Sequence, residues 1–420
     1  MSFTKLTSIL TATTLIIAAK HARAETAEAL VNHALSRNPE LKFYVAEIAA
    51  AKGTVRTAVA RRNPELNTQV GYKHSRDNSS GATGDGATWA ISLSQTFEYP
   101  GRIALRKAIA NHDVNLAELH LQQFRLKLAS RVRTLAYRIA GARAKSAVAR
   151  ELGARFQTVS DVLKQRPTAG TTQQLETQII TANGATFRRQ EREAALLQTT
   201  MRAELNQLCG RPANAPIEIT SGDIRFSATS IDVLLNAARA NAFDIKIRET
   251  ELAQQGFKVA LSKNERYPAI AVGPFYSLEN AIDQEQQVGL GISLPLPMWD
   301  RNLGNIATNQ ARQHQAEASV TLTRREVEKE VTQNAATLAA KRSEIDNLTR
   351  NDLTTLREAA ELADRDYQRG AVPLPIYIET QKQYFELVGV LNDLQREALE
   401  AAQELEVLTG LKLCGGDGDD

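Results

Sequence analysis

Six histidines, three methionines and two cysteines are the only soft or borderline metal ligands in 420 residues. They do not gather into ligand pairs. His112 and His120 come nearest, but two helical turns, about 12 Å, are too far for one ion. With His33, His74 and His314 they read as surface histidines. Motifs of the Ser-His-Asp or Cys-His kind, a glycine-rich phosphate loop and a zinc helix are all missing, so enzymatic chemistry, a cofactor and a metal site are not expected. Long apolar runs are missing too. No stretch reaches the ~20 residues that a membrane-crossing helix needs, so any insertion must use β-strands.

An excess of one charge is also lacking. The chain has 51 basic and 48 acidic residues, and the first 24 carry Lys5, Lys20 and Arg23 without an acid. Without them the chain is formally neutral, which removes the case for a nucleic-acid partner. Those residues read as a secretory leader, 1–24: Lys5, an apolar stretch from Leu6 to Ala19, and the small-x-small site Ala22-Arg23-Ala24. No cysteine follows that site, so a lipid anchor there is not expected. Cys209 and Cys414 leave two readings open, a disulfide in an oxidising compartment or one packed thiol and one tail thiol.

What the chain does have is duplication. Gln165-Arg166-Pro167 and Glu176-Thr177-Gln178 recur 203 residues later as Gln368-Arg369-Gly370 and Glu379-Thr380-Gln381. Lys42, Glu47, Arg62, Pro64 and Tyr72 recur 204 residues later as Lys246, Glu251, Arg266, Pro268 and Tyr276. One substructure is therefore expected twice, in repeats 25–210 and 231–413, with a linker 211–230 and a flexible tail 414–420.

Within each repeat the hydrophobic period changes once. Val114, Leu121, Leu128, Leu135, Ala142, Ala149, Phe156 and Leu163 stand seven apart, and Tyr384, Leu387, Leu391, Leu394, Ala398, Ala401, Leu405 and Leu408 step by three and four. Both are coiled-coil seams that call for partner helices. Helical hairpins are expected at about 101–209 and 303–410. Their tips fall near 165–172 and 368–375, where proline and glycine interrupt the runs. Upstream, a two-residue period marks strand pairs at about 65–75 and 88–98, and at about 268–278 and 286–297. The fold class is mainly α with a small β part. Four strands are too few to close a barrel, so insertion requires several copies to pool theirs.

Taken together these residues resemble the TolC-like outer-membrane efflux duct family over about residues 27–413. The second tip, Tyr367 to Gln381, carries the resemblance, as does the strand exit Gly291-Ile-Ser-Leu-Pro-Leu-Pro-Met-Trp-Asp300-Arg-Asn-Leu-Gly304. The first-repeat exit, Gln95 to Arg102, also fits. In the second exit, the Pro-Leu-Pro run followed by Asp300-Arg301-Asn302 and Gly304 is similar to the cobalt–zinc–cadmium, heavy-metal type. The resemblance implies long coiled-coil hairpins forming a periplasmic α-barrel, and a homotrimer whose four strands per chain make a shared outer-membrane β-barrel. It also implies lipid contact, a periplasmic adaptor and an inner-membrane pump of the resistance-nodulation-division type.

Adaptor docking is expected at the tips, at Arg166, Pro167 and Gly170 in the first repeat and Arg369, Gly370, Ala371 and Val372 in the second. A gate or mouth is expected at Tyr367, Asp364, Asp366 and Glu379. Val372 and Ile376 stand where the family often has an arginine and an acid, which puts a salt-bridged gate in doubt and favours closure by packing. Asp352, Glu361, Asp364, Asp366 and Glu379 read either as an acidic lining that favours cations or as a solvated face balanced by Arg357, Arg365 and Arg369. Tyr72, Trp89, Tyr99, Tyr276 and Trp299 fit interfacial aromatics or core packing. The cargo reads as heavy-metal cations, with drugs, small organics or type I secretion as alternatives. A secreted coiled-coil scaffold without a pore is the reading of another class.

Overall fold

A computed structural model of the chain describes residues 25–79, 81–165, 171–220, 225–348 and 350–415. The leader, and the first-tip residues Arg166, Pro167 and Gly170, lie outside the described residues. The first repeat holds α1 (Ala27–Arg37), α2 (Pro39–Val59), β1 (Glu65–Arg76), β2 (Thr83–Phe97), α3 (Arg102–Gln165) and α4 (Thr171–Leu208). After the short β3 (Arg225–Phe226), the same order returns. It runs α5 (Ile231–Asn241), α6 (Phe243–Glu265), β4 (Ile270–Asn280), β5 (Gln284–Ser293), α7 (Leu303–Asn347), α8 (Arg350–Gln368), α9 (Leu374–Thr409) and β6 (Cys414–Gly415).

The duplication extends to single hydrogen bonds. Asn38 at the α1–α2 elbow donates its amide to the Leu208 carbonyl at 2.9 Å, and Asn241 at the end of α5 donates to the Thr409 carbonyl at 2.9 Å. Each asparagine satisfies a carbonyl at the end of its repeat's last helix, which has no partner within that helix.

Helix α3 is the spine. Its 64 residues run about 95 Å at 1.5 Å per residue. Of its heptad row, Leu128, Leu135, Ala142, Ala149, Phe156 and Leu163 are buried, while Val114 and Leu121 are half-buried. Three apolar cores fill the rod, the first two side by side where Arg133 of α3 meets Gln403 and Glu406 of α9. One joins α1, α3 and α4; a second joins α5, α7 and α9; the third gathers α3, α4, α8 and α9 toward the tips.

Strands β1, β2, β4 and β5 form one antiparallel sheet in that order, so the two repeats meet at the β2–β4 pair. Beneath the sheet, Arg102 donates to the Asn264 side chain at 3.0 Å and to the Asn264 and Tyr267 carbonyls at 3.1 and 2.7 Å. Asn264 donates back to the Pro100 carbonyl at 2.9 Å. This exchange fixes the start of α3 against the end of α6, so sheet and rod turn as one body.

Several boundaries differ from expectation, each for a physical reason. Strand β5 ends at Ser293 rather than near 297, because Pro295 and Pro297 have no N–H to give a ladder. Strand β2 begins at Thr83, five residues early, because the loop residues pair with β1 through Arg76. The first arm of the second hairpin is two helices, α7 and α8. Leu348 leaves helical geometry at φ −78 and ψ 76, in the run Asn347-Leu-Thr-Arg-Asn351, whose Asn and Thr are weak helix formers. His33, His112 and His120 are half-buried, so among the described residues His74 and His314 are the surface histidines.

The start of the expected tail is ordered, since Cys414 and Gly415 pair with β3 in the linker. Cys414 is therefore not a tail thiol, and the two cysteines are free rather than bridged. Both are buried in separate cores. Cys209 lies 3.8 Å from the Leu30 carbonyl, and Cys414 Sγ accepts the Gln403 amide at 3.2 Å. Burial pushes each thiol up to about 11 from 9.0. At pH 8 the native thiolate fraction is about one in a thousand, against about one in ten unfolded. The raised values favour the native state below pH 9, and that contribution fades as pH rises from 9 toward 11. Iodoacetamide at pH 8 should leave both thiols unmodified in native protein and label both in denaturant, read by intact mass; rapid native labelling of Cys414 would show that β6 is not held down.

Candidate conduit wall and helical tip

The sheet has two chemically distinct faces. In an antiparallel ladder, residues directly opposite share a face. One face carries Thr68, Ile91, Tyr276 and Val288 in one row, and Val70, Trp89, Leu278 and Gln286 in the next. Val70 and Val288 are exposed at 86% and 80%, values typical of polar rather than aliphatic residues. Trp89 and Tyr276 meet there at 5.3 Å between ring centroids. The other face carries Asn67, Ser92, Phe275 and Gly289, then Gln69, Ala90, Ser277 and Gln287. Apart from Phe275, these residues are small or polar.

Glycine is required in the middle of this wall. A Cβ on Gly273 would lie 1.7 Å from the Leu93 carbonyl oxygen, so only glycine lets β4 approach β2 that closely. At one end of the polar face Lys73 reaches across β2, pairing with Glu279 at 2.6 Å and lying 3.9 Å from Glu285. An apolar face opposite a face of small polar side chains and charges is the pattern of a wall between lipid and water.

At the far end of the rod, α8 turns into α9. Gly370 sits at φ +76, and its N–H donates to the Tyr367 carbonyl at 3.0 Å while Ala371 N–H donates to the Asp366 carbonyl at 2.9 Å. These two bonds make a Schellman stop, which selects glycine because the left-handed region costs other residues about 1 kcal/mol or more. Pro373 and Pro375 then start α9, where a missing N–H costs nothing. A Cβ on Gly370 would meet nothing within 4 Å. Arg369, Gly370 and Ala371 are exposed and Val372 half-buried. A cleft of about 260 Å³ beside them lies between Leu163 of α3, Glu176 of α4, and Tyr367, Gly370 and Leu374.

The expected gate residues divide. Tyr367 stacks on fully buried Tyr377 at 4.9 Å between centroids, with planes 10° apart, and Phe156 of α3 lies 5.1 Å from the same ring. Asp364 stands beside the Tyr377 hydroxyl. Burial first, and then the Asp364 charge, push that phenol far above its ordinary range. Neither the hydroxyl nor Asp364 Oδ1 has a hydrogen bond within 3.5 Å. Arg155 of α3 donates to Glu151 at 2.6 Å and lies 3.8 Å from Glu361 of α8.

Asp366 lies 3.9 Å from Arg369, and exposed Glu379 accepts the Gln383 amide at 3.0 Å, so these two turn away from Tyr377. Of the five acids considered as a lining, Glu361 also pairs with Arg357 at 3.2 Å. Arg155 and Tyr377 were not among the expected site residues. Tyr377 had a signal, since one heptad back from Tyr384 reaches it; Arg155 had none beyond adjacency to Phe156.

The sequence profile of the outer membrane efflux proteins matches residues 30–211 and 234–411, one match per repeat. No curated protein matches the chain in sequence. Among solved structures, the outer-membrane channel OprN superposes with a TM-score of 0.74 at 15% identity, covering 91% of this chain and 89% of that one. The CmeC outer membrane channel of Campylobacter jejuni gives 0.72 at 15%, covering 94% and 87%. CusC, described in terms of folding and transmembrane channel formation, gives 0.70 at 18%, covering 91% and 92%. At such identities the likeness shows the fold.

The Tyr377 site yields a stability test. Tyr377→Phe removes a buried hydroxyl without a partner and should change stability by less than about 1 kcal/mol, whereas Tyr377→Ala opens a cavity and should cost about 3–5 kcal/mol. Denaturant unfolding followed by helical circular dichroism checks this; a large loss from Tyr377→Phe would show that the hydroxyl is structurally engaged.

Proposed function

The chain belongs to the outer membrane efflux protein family, and from that premise we propose that it is the outer-membrane duct of a tripartite efflux assembly. Three copies close one barrel of twelve strands, and their helical hairpins continue the conduit into the periplasm. The observation that carries this reading is the four-stranded sheet with one apolar face, one polar face and two open edges, β1 and β5. Unpaired edges are not tolerated in lipid, so the sheet must close with further copies. The inner wall offers mostly small and polar groups, with Lys73, Glu279 and Glu285 at one end.

A periplasmic adaptor docks on the tips at Arg369, Gly370, Ala371 and Val372, and on Arg166, Pro167 and Gly170 of the first repeat. An inner-membrane pump of the resistance-nodulation-division type supplies the cargo. Tyr367 and Asp364, packed on Tyr377 and Phe156, hold α8 and α9 against α3 and set the closed mouth. Asp366 and Glu379 border that mouth from its solvent side. Closure here rests on stacked rings and packing, consistent with Val372 and Ile376 standing where charges would be needed for an ion-paired gate.

Heavy-metal cations are the cargo favoured by the Pro-Leu-Pro strand exit. Among the described residues no cluster of three metal-ligating side chains occurs, which suits a duct whose pump makes the choice. A drug or small-organic duct differs only in the pump. Growth of a strain lacking the chain, challenged with cobalt, zinc and cadmium or with dyes and detergents, separates the two.

Two measurements test the duct itself. Purified protein should migrate as a heat-labile trimer and conduct ions in planar bilayers; a salt-extractable monomer without conductance would instead fit the secreted scaffold. Gly370→Arg should preserve trimer and conductance but abolish export, while Gly370→Asn, which tolerates the left-handed region, should retain it. Loss of the trimer in Gly370→Arg would make the tip structural rather than a docking surface.

A further inference from the structure

At the helix-side rim of the sheet, the apolar outer face does not stop where β5 stops. Val288, Leu290 and Ile292 are exposed on that face, and Leu294, Leu296 and Met298 continue the same two-residue spacing beyond Ser293. Leu296 and Met298 are exposed at 68% and 65%, and Trp299, which follows, at 94%. Between the apolar residues stand Pro295 and Pro297, which have no N–H and so leave no donor unpaired outside the ladder. The strap is anchored at its end. Asp300 accepts the Asn302 N–H at 2.8 Å, and Asn302 donates its amide to the Ser262 carbonyl of α6 at 2.8 Å.

The surroundings of the strap are basic. Arg266 precedes β4, the neighbour of β5, and Arg301 follows β5, so both lie at the end of the sheet from which the strap leaves. Both are exposed, as is Lys263, beside the exposed acids Glu265 and Asp300. Arg62, at the opposite edge of the sheet, lies 3.8 Å from Glu98 and is not part of this group. Asp300 is already committed to capping Asn302. Arginine forks match phosphate oxygens, and tryptophan settles where a membrane passes from apolar to polar.

We propose that the strap 294–303 and the arginines beside it form a seat for anionic phospholipid in the periplasmic leaflet of the outer membrane. The apolar side chains and Trp299 enter the acyl–headgroup boundary, while Arg266 and Arg301 take phosphates. The seat sets the depth of the barrel in the bilayer, where the rod begins. It rests on the reading of the sheet as a membrane wall.

The chain has two tryptophans, one on the wall and one on the strap, so each can be read alone. Trp299→Phe leaves Trp89 as reporter of barrel insertion, and Trp89→Phe leaves Trp299 as reporter of the seat. Both are reconstituted in vesicles of phosphatidylethanolamine and phosphatidylglycerol whose acyl chains are brominated near the headgroup. Trp299 emission should be quenched by about twofold or more. Quenching should weaken when phosphatidylcholine replaces phosphatidylglycerol, and again in Arg266→Gln with Arg301→Gln. Quenching of Trp89 but not Trp299 overturns the seat and leaves the membrane wall standing; quenching of neither overturns both. Quenching of Trp299 that ignores headgroup charge overturns the phosphate sites.

Discussion

Everything in this molecule follows from the unpaired backbone groups along two strand edges. A sheet of four strands has an N–H and C=O row open at β1 and another at β5. In water such edges are tolerable; in hydrocarbon each unsatisfied group costs several kcal/mol. On the proposed reading of the sheet as a membrane wall, its edges find each other on neighbouring copies. That contact is head-to-tail, one edge against a different edge, and such contacts make a ring when the rotation closes. A ring at the sheet imposes a ring on the helices below. Helix α2 buries none of its own residues, and α4 exposes Leu175, Leu196 and Leu197, as expected of surfaces waiting for a neighbour.

The rod transmits that symmetry over a long distance with little material. Because α3 packs against α1, α2, α4, α6 and α9 in turn, one helix couples the sheet to the tips. Its fastening to α6 through Arg102 joins the repeats at the top, and the Phe156–Tyr377 contact joins them near the bottom. Between these points α3 also holds the second repeat, through Gln123 with Asp244, Gln254 with Asp113, and Arg133 with Glu406. The helix interruption at Leu348 divides the second hairpin into an upper and a lower part.

The parts legible in the sequence were those with a period. Leu128 to Leu163 at sevens and Leu66 to Tyr72 at twos report a helix seam and a strand because burial repeats with the geometry of the element. The second tip, at Gly370, Pro373 and Pro375, was legible for a related reason, since its left-handed turn selects glycine and its helix start tolerates proline. What escaped depends on contacts between distant segments or on small propensity differences. Cys414 looked like a tail because nothing local marks a two-residue strand. The break at Leu348 has neither proline nor glycine to announce it. Tyr377, the ring on which Tyr367 stacks, is defined by packing from α3 rather than by a local motif. Asp364 lies beside that ring while Asp366 and Glu379 turn away from it, because a helix turns neighbouring residues to different sides.

The most direct test of ring closure joins the two open edges chemically. Gln69 on β1 and Gln287 on β5 lie on the polar face at opposite edges of the sheet. Because a closed barrel staggers its strands, Gln69→Cys is combined in turn with a cysteine at each polar-face position of β5, Glu285, Gln287, Gly289, Gly291 and Ser293. A short bis-maleimide applied to membranes should yield a covalent trimer on denaturing gels for at least one pair, while every single variant stays monomeric. A set in which every pair remains monomeric, or forms only dimers through like positions, would contradict closure of the sheet by copies of itself.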